Sequence, residues 1–327
     1  MKQAIYKESL SITKDIVQVY LTLLRIMIPA LLVVKGLELM GAIELISSLL
    51  SPVMTAVGLP SSMGIVWATT IFTNIYGGMI VFFELSANET LSVAQVTVLG
   101  CMMLIAHGLP VEGAIAKKAG VKWRATLSIR ILGALLFGAL LNLIYQEFGY
   151  LQAPSELLWS PELNKPTLAQ WCIEQIKTLG MIFVIISGLI LLLRLLKWLH
   201  IEALMHWLLS PLMVFLGLSK QASNLTIIGM TLGLSFGGGL LIKEAESGAL
   251  SPKDIFIAMA LLALCHSLIE DTLLIMLLGA HISGALWGRL AFSLLFVSIM
   301  SHGLNWHQQS LSYRFCINEL PKKDDQT

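Results

Sequence analysis

The chain is short of charge: Asp, Glu, Lys and Arg make up only 13% of its 327 residues, against about a quarter in soluble proteins. Net charge is +1, and no basic run is long enough to track a phosphate backbone, so nucleic acid is not expected as a partner. The four cysteines share no close CxxC spacing, and Cys101 and Cys265 fall in apolar segments where they read as small buried hydrophobes. The polar N-terminus, "MKQAIYKESLSITKD", lacks the apolar core and small-residue cleavage site of a signal peptide. Neither a nucleophile–base pair nor a phosphate-binding loop stands out, so an enzyme is the least expected class and no cofactor is expected.

Apolar sequence is what the chain has in abundance. Hydrophobic residues make up 56% of it, with a mean hydropathy of +0.81. Several windows reach the roughly 20 apolar residues that an α-helix needs to cross a bilayer. These features describe an all-α, multi-pass integral membrane protein whose first partner is the lipid bilayer.

Comparing the chain with itself at a shift of 159 residues uncovers a duplication. "LSPVMTAVGL" from Leu50 meets "LSPLMVFLGL" from Leu209, and the register then holds without a gap to Arg130 and Arg289. Of 81 positions 14 are identical, and they include rare residues: Pro52 meets Pro211, His107 meets His266, and Arg130 meets Arg289, while Glu112 meets the acid Asp271. We read two repeats, residues 1–147 and 170–310, an extracytoplasmic linker at 148–169 and a cytoplasmic tail at 311–327. Internal repeats of this kind mark secondary transporters.

Loop charge sets the topology, because cytoplasmic loops near membrane ends carry excess Lys and Arg. In the first repeat, residues 17–37, 92–119 and 126–145 read as spans, 43–57 as an amphipathic interfacial helix, and 62–83 as an apolar segment interrupted by "TNIYGG". If 62–83 is a re-entrant hairpin, Lys2, Lys7 and Lys14 lie inside, "ELSANETLS" outside and "KKAGVKWR" inside. A full crossing would put "KKAGVKWR" outside. The same reading brings Arg194, Lys197, Lys220, Lys243 and Lys253 inside, along with the tail carrying Arg314, Lys322 and Lys323. The expected architecture is therefore six transmembrane helices, two re-entrant hairpins and two amphipathic helices, with both termini cytoplasmic. Three crossings per repeat make the second repeat inverted relative to the first.

Ionisable groups stand in the middle of these spans. In "LLALCHSLIEDTLLIMLLGA", His266, Glu270 and Asp271 fall near the bilayer midplane, with His266 and Glu270 spaced to share a helix face. "AHGLPVEG" places His107 and Glu112 at the matching depth, with Gly108 and Pro110 interrupting the helix. A carboxylate at the membrane centre costs at least about 2.5–3.5 kcal/mol, so these groups need a partner or a wet cavity. We expect a substrate or ion site; the plainer alternative is mutual neutralisation that holds helices together. Two His and three carboxylates could also ligate a divalent cation, although no tight spacing demands it. Arg130 and Arg289 are candidate ion-pair partners or, equally, snorkelling side chains. At the interruptions, Thr73, Asn74, Gly77 and Gly78, and Ser235, Gly237 and Gly238, form two hairpin tips. Glu84 and Lys243 read as interfacial anchors near the hairpin bases.

The order of amphipathic helix, broken hairpin, broken helix and spanning helix resembles the Gate or nucleoside-recognition domain. The quoted stretches are "LLSPVMTAVGLPSSMGIVWATTIFTNIYGGMIVF" and "LLSPLMVFLGLSKQASNLTIIGMTLGLSFGGGLLI". That domain occurs in concentrative nucleoside transporters, bacterial ferrous-iron transporters and spore-maturation membrane proteins. The resemblance implies a site between two hairpin tips and two broken helices, here residues 73–78, 232–239, 107–112 and 266–271. The expected function is proton-coupled secondary transport of a small solute across the bacterial inner membrane. Divalent-metal passage and a non-transporting, spore-maturation-type module that assembles with a partner are the rivals, and a homo-oligomer is compatible with each.

Overall fold

The computed structural model describes residues 2–86, 89–156, 167–304, 306 and 310–317, with side chains left undescribed for 2–11 and for Lys197, Glu202, Leu232, Ser235, Phe236 and Ser312. Residues 157–166 of the expected linker, the tail beyond residue 317 with Lys322 and Lys323, and the Ser235 side chain therefore lie outside the described part. Among the described residues the fold is helical and forms no strand. Six helical segments are long and apolar enough to cross a membrane: Ile12–Leu39, Val93–Lys118, Trp123–Glu147, Leu168–Leu196, Pro252–Leu277 and Ser283–Gly303.

The first part of the chain runs α1 (Lys2–Leu39), α2 (Ala42–Ala56), α3 (Met63–Phe72), α4 (Ile75–Ser86), α5 (Val93–Ile105), α6 (Leu109–Lys118) and α7 (Trp123–Glu147). The same order returns as α8 (Leu168–Trp198), α9 (Ile201–Phe215), α10 (Lys220–Leu232), α11 (Leu234–Glu246), α12 (Pro252–Cys265), α13 (Glu270–Leu277) and α14 (Arg289–Gly303), the last entered through a π-helical turn at Ser283–Gly288. Short α15 (Leu311–Cys316) follows.

Local chemistry recurs at the same offset. Helices α2 and α9 both stop at a left-handed glycine, Gly58 (φ 72°) and Gly217 (φ 74°). There the next amide reaches back to the helix, Leu59 to the Met54 carbonyl and Leu218 to that of Met213, which satisfies carbonyls the helix end leaves open. Ser92 and Ser251 cap α5 and α12 by accepting from the Gln95 and Asp254 amides.

Helices α3 and α4 fold back on each other, as do α10 and α11, and glycine makes the approach. A Cβ at Gly78 would lie 1.9 Å from Thr70 Oγ1, and one at Gly237 would lie 2.2 Å from the Gly229 Cα. Arms of 10 to 13 residues are about 15–20 Å long, too short to cross a roughly 30 Å core.

The two broken spans, α5–α6 and α12–α13, are central: 72% of the most apolar stretch of each is buried, against 11% for α1 and 17% for α8. Leu32, Val33, Ile176 and Val184 on those outer helices stay exposed, an apolar surface of the kind a bilayer covers. Glu84 departs from the anchor reading. It accepts from Trp171 Nε1 at 2.7 Å and Gln175 Nε2 at 2.6 Å, and so ties the first hairpin to α8.

Candidate functional site

Both central spans break where a carbonyl-to-amide ladder should continue. In α5 the break follows Ile105, and Gly108 (φ 55°) turns the chain with Pro110 in the first turn of α6. In α12 it follows Cys265: His266 is extended and Ser267 takes φ 45°. The continuous helix face expected for His266 and Glu270 therefore does not exist. Each break passes a backbone amide to a hairpin arm, Gly108 to the Thr70 carbonyl at 3.0 Å and Leu268 to that of Met230 at 2.8 Å.

Breaking the helices frees carbonyls inside the protein, and the histidines use two of them. His107 Nδ1 meets the Met103 carbonyl at 3.0 Å and His266 Nδ1 that of Leu262 at 2.7 Å. A carbonyl only accepts, so each Nδ1 carries a proton, and in the neutral form of each ring Nε2 is then an acceptor. The two buried Nε2 atoms face one another at 3.1 Å.

Carboxylates close in from the first turns of α6 and α13. Glu112 Oε1 is 3.0 Å from His107 Nε2 and 3.5 Å from His266 Nε2, and its other oxygen pairs with Arg130. Asp271 Oδ2 lies 3.8 Å from His266 Nε2 and has no hydrogen-bond partner among the described residues. Arg130 and Arg289 do not snorkel, since both are fully buried. They stay inside because the breaks leave carbonyls to satisfy: Arg130 Nε donates to Ile105 at 2.7 Å and Arg289 Nη2 to His266 at 3.0 Å. Of the two, only Arg130 pairs with an acid among the described residues.

His107, Glu112, His266 and Asp271 border a cavity of about 280 Å³ that also touches Asn74 and Gly233 at the hairpin tips, Tyr76, Ser267 and the half-buried Glu270. Asn74 lines it and braces α4 by accepting from the Gly77 amide at 2.9 Å. Thr73 turns its hydroxyl to the Thr69 carbonyl at 2.6 Å instead. Gly77, Gly78, Gly237 and Gly238 lie outside the lining and serve packing; a Cβ at Gly238 would meet Ile115 at 2.7 Å. Tyr76, Gly233 and Ser267 fall within the expected stretches 73–78, 232–239 and 266–271 but are not singled out there; the 159-residue offset marks Gly233 and Ser267 as the counterparts of Asn74 and Gly108.

Fold and spans define a multi-pass α-helical membrane protein. Over 290 residues the chain is 29% identical to the uncharacterized membrane protein YvoD of Bacillus subtilis (strain 168), an alignment that covers 86% of this chain and 90% of that protein. No family model matches the chain, and no solved structure matches it.

Proposed function

We propose that the chain is a secondary transporter, moving a small solute by alternating access across the bacterial inner membrane with proton coupling. One observation carries the reading: two hairpin tips and two helix breaks converge on one cavity furnished with two histidines and three carboxylates. Irregular backbone at membrane depth is tolerated only where protein buries it or a cavity needs it. Discontinuous helices from paired repeats around a central site are a common transporter plan.

The 159-residue recurrence of caps, breaks and left-handed turns supports two repeats, and loop charge supports their inversion with both termini cytoplasmic. The Gate resemblance supports the same architecture. It supports a nucleoside substrate less, because Thr73-Asn74-Ile75-Tyr76 stands where the nucleoside transporters carry Gln-Thr-Glu. Bare imidazole nitrogens beside carboxylates accept protons, which supplies the coupling.

The test is a thermal-shift screen of nucleosides, small acids, lipid phosphates and divalent cations, because a ligand stabilises the state it binds. Uptake of each hit into proteoliposomes under a pH gradient follows. His266→Ala and Asp271→Ala should each abolish that uptake, and uptake untouched by both would overturn the reading.

A further inference from the structure

Resting on the transport reading, we infer that the solute is a divalent transition-metal cation, held by His107 Nε2, His266 Nε2 and an oxygen each of Asp271 and Glu112. Ligand atoms of His107, His266 and Asp271 already lie within 4.8 Å of one another. Metal–nitrogen bonds of about 2.0–2.1 Å put two imidazole nitrogens about 3.3 Å apart at a tetrahedral angle and about 2.9 Å apart at a right angle. The observed 3.1 Å falls between these.

Metal-bound imidazoles are characteristically fixed by their other N–H, often on a backbone carbonyl, and both histidines are fixed in this way by the breaks. A proton shared between the two Nε2 atoms would also relieve their facing lone pairs. It would leave Asp271 Oδ2, buried and without a hydrogen-bond partner among the described residues, with nothing to accept. A metal ion takes all four acceptors at once.

Charge and donor type narrow the cation. Glu112 and Arg130 neutralise each other, so Asp271 and Glu270 remain to offset a 2+ ion, with Arg289 behind the His266 carbonyl and the Tyr76 phenol on the cavity wall. No cysteine lines the cavity among the described residues. Nitrogen and oxygen donors without thiolate suit Mn²⁺, Fe²⁺, Co²⁺ or Zn²⁺ and disfavour Cu⁺.

The test uses the full chain, purified in detergent without a polyhistidine tag, and Co²⁺ as the probe. Titration should give a saturable visible absorption band at one Co²⁺ per chain, weakened at least about tenfold by Asp271→Asn and by His266→Gln. The thermal midpoint without metal controls for folding. A band absent up to about 1 mM, or one indifferent to both variants when these keep the wild-type midpoint, would overturn the inference. Co²⁺ influx into proteoliposomes separates the two readings. A band without flux keeps the metal site and sinks transport; flux of another solute without a band keeps transport and sinks the metal; absence of both sinks both.

Discussion

In the first half Glu112 closes on Arg130, and Arg130 Nε caps the broken end of α5. At the same offset in the second half, Asp271 Oδ2 and the Nε and Nη1 atoms of Arg289 have no hydrogen-bond partner among the described residues. Residues at the same offset thus make an ion pair on one side of the cavity, where only Arg130 Nη2 is left without a hydrogen-bond partner among the described residues, and looser charge on the other. Aspartate is one methylene shorter than glutamate. The second break also differs: Arg289 spends Nη2 on the His266 carbonyl itself. A weakly compensated buried charge is expensive, and Asp271 has only His266 Nε2, at 3.8 Å, within ion-pair range among the described residues, so the open half is not there for stability. Asp271 is the acid whose charge is free to answer a ligand, while the pair with Arg130 fixes Glu112 with its other oxygen turned to the histidines.

The sharpest way to break this comparison is to neutralise the two acids separately. Glu112→Gln strands a fully buried Arg130 and should cost about 3–5 kcal/mol. Its mark would be a fall in the thermal midpoint, or loss of a monodisperse peak in detergent. The double variant Glu112→Met/Arg130→Met removes both charges and should recover most of that loss, since apolar replacements of a buried pair are often neutral. A double variant no better than the single would mean that the loss does not come from the stranded charge.

Asp271→Asn should behave in the opposite way. Because Asp271 Oδ2 gives up no hydrogen bond, the midpoint should move by less than about 1 kcal/mol of stability, or rise. Loss of ligand-dependent stabilisation should accompany it. If Asp271→Asn unfolds the protein and Glu112→Gln does not, the roles of the two halves are reversed.

The breaks can be compared directly. Gly108 and Ser267 both adopt left-handed backbone, with φ 55° and 45°, but only one is glycine. Ser267→Gly should relieve backbone strain of about 1 kcal/mol and Gly108→Ala should impose about as much. Chemical denaturation in mixed micelles reads both. Equal effects of the same sign would show that the two turns are not equivalent.

Much of this was legible in the sequence, and the reason is physical. Spans follow from length and apolarity, and the hairpins from loop charge. His107 and His266, singled out because a rare residue recurs at the 159-residue offset, do meet at one cavity. The first break was visible because Gly108 and Pro110 announce it. The second was implied only by the Gate resemblance, because "HSLIED" has neither residue and by itself reads as ordinary helix; at the break the Leu268 amide bonds the Met230 carbonyl instead. The burial of both arginines was also hidden, since it depends on carbonyls that exist only once the helices are broken. Tyr76 lies within the interrupting "TNIYGG", but which of that stretch's side chains reaches the cavity depends on the turn at Asn74.

The halves differ again where their last spans begin, with a smaller consequence. The second half's segment is held by the first, through the His281 amide on Thr97 Oγ1 at 2.8 Å and Tyr145 on Ser283 at 2.9 Å. The start of α7 is held by the tail: Lys122 Nζ and Arg124 Nη2 reach the Arg314 carbonyl at 2.6 and 2.7 Å, and the Lys122 amide reaches that of Cys316 at 2.8 Å. This places basic side chains on the C-terminal carbonyls of α15, where their charge is favourable. It also buries Cys316, and burial pushes its thiol up to about 11 even though Arg124 and Lys122 pull it down. Only the thiolate reacts, so with the exposed Cys172 changed to Ser, Cys316 should label with maleimide very slowly at pH 7.5. Its rate should climb about tenfold per pH unit until the pH approaches about 11. Lys122→Ala/Arg124→Ala removes two charges that lower the thiol but also lets the tail lift. Because burial is the larger cause, the thiol should fall towards the ordinary value of about 8.5 and label on the order of a hundredfold faster at pH 7.5. Slower labelling would mean that the tail stays docked without its clamp, and that the start of α7 needs no outside support.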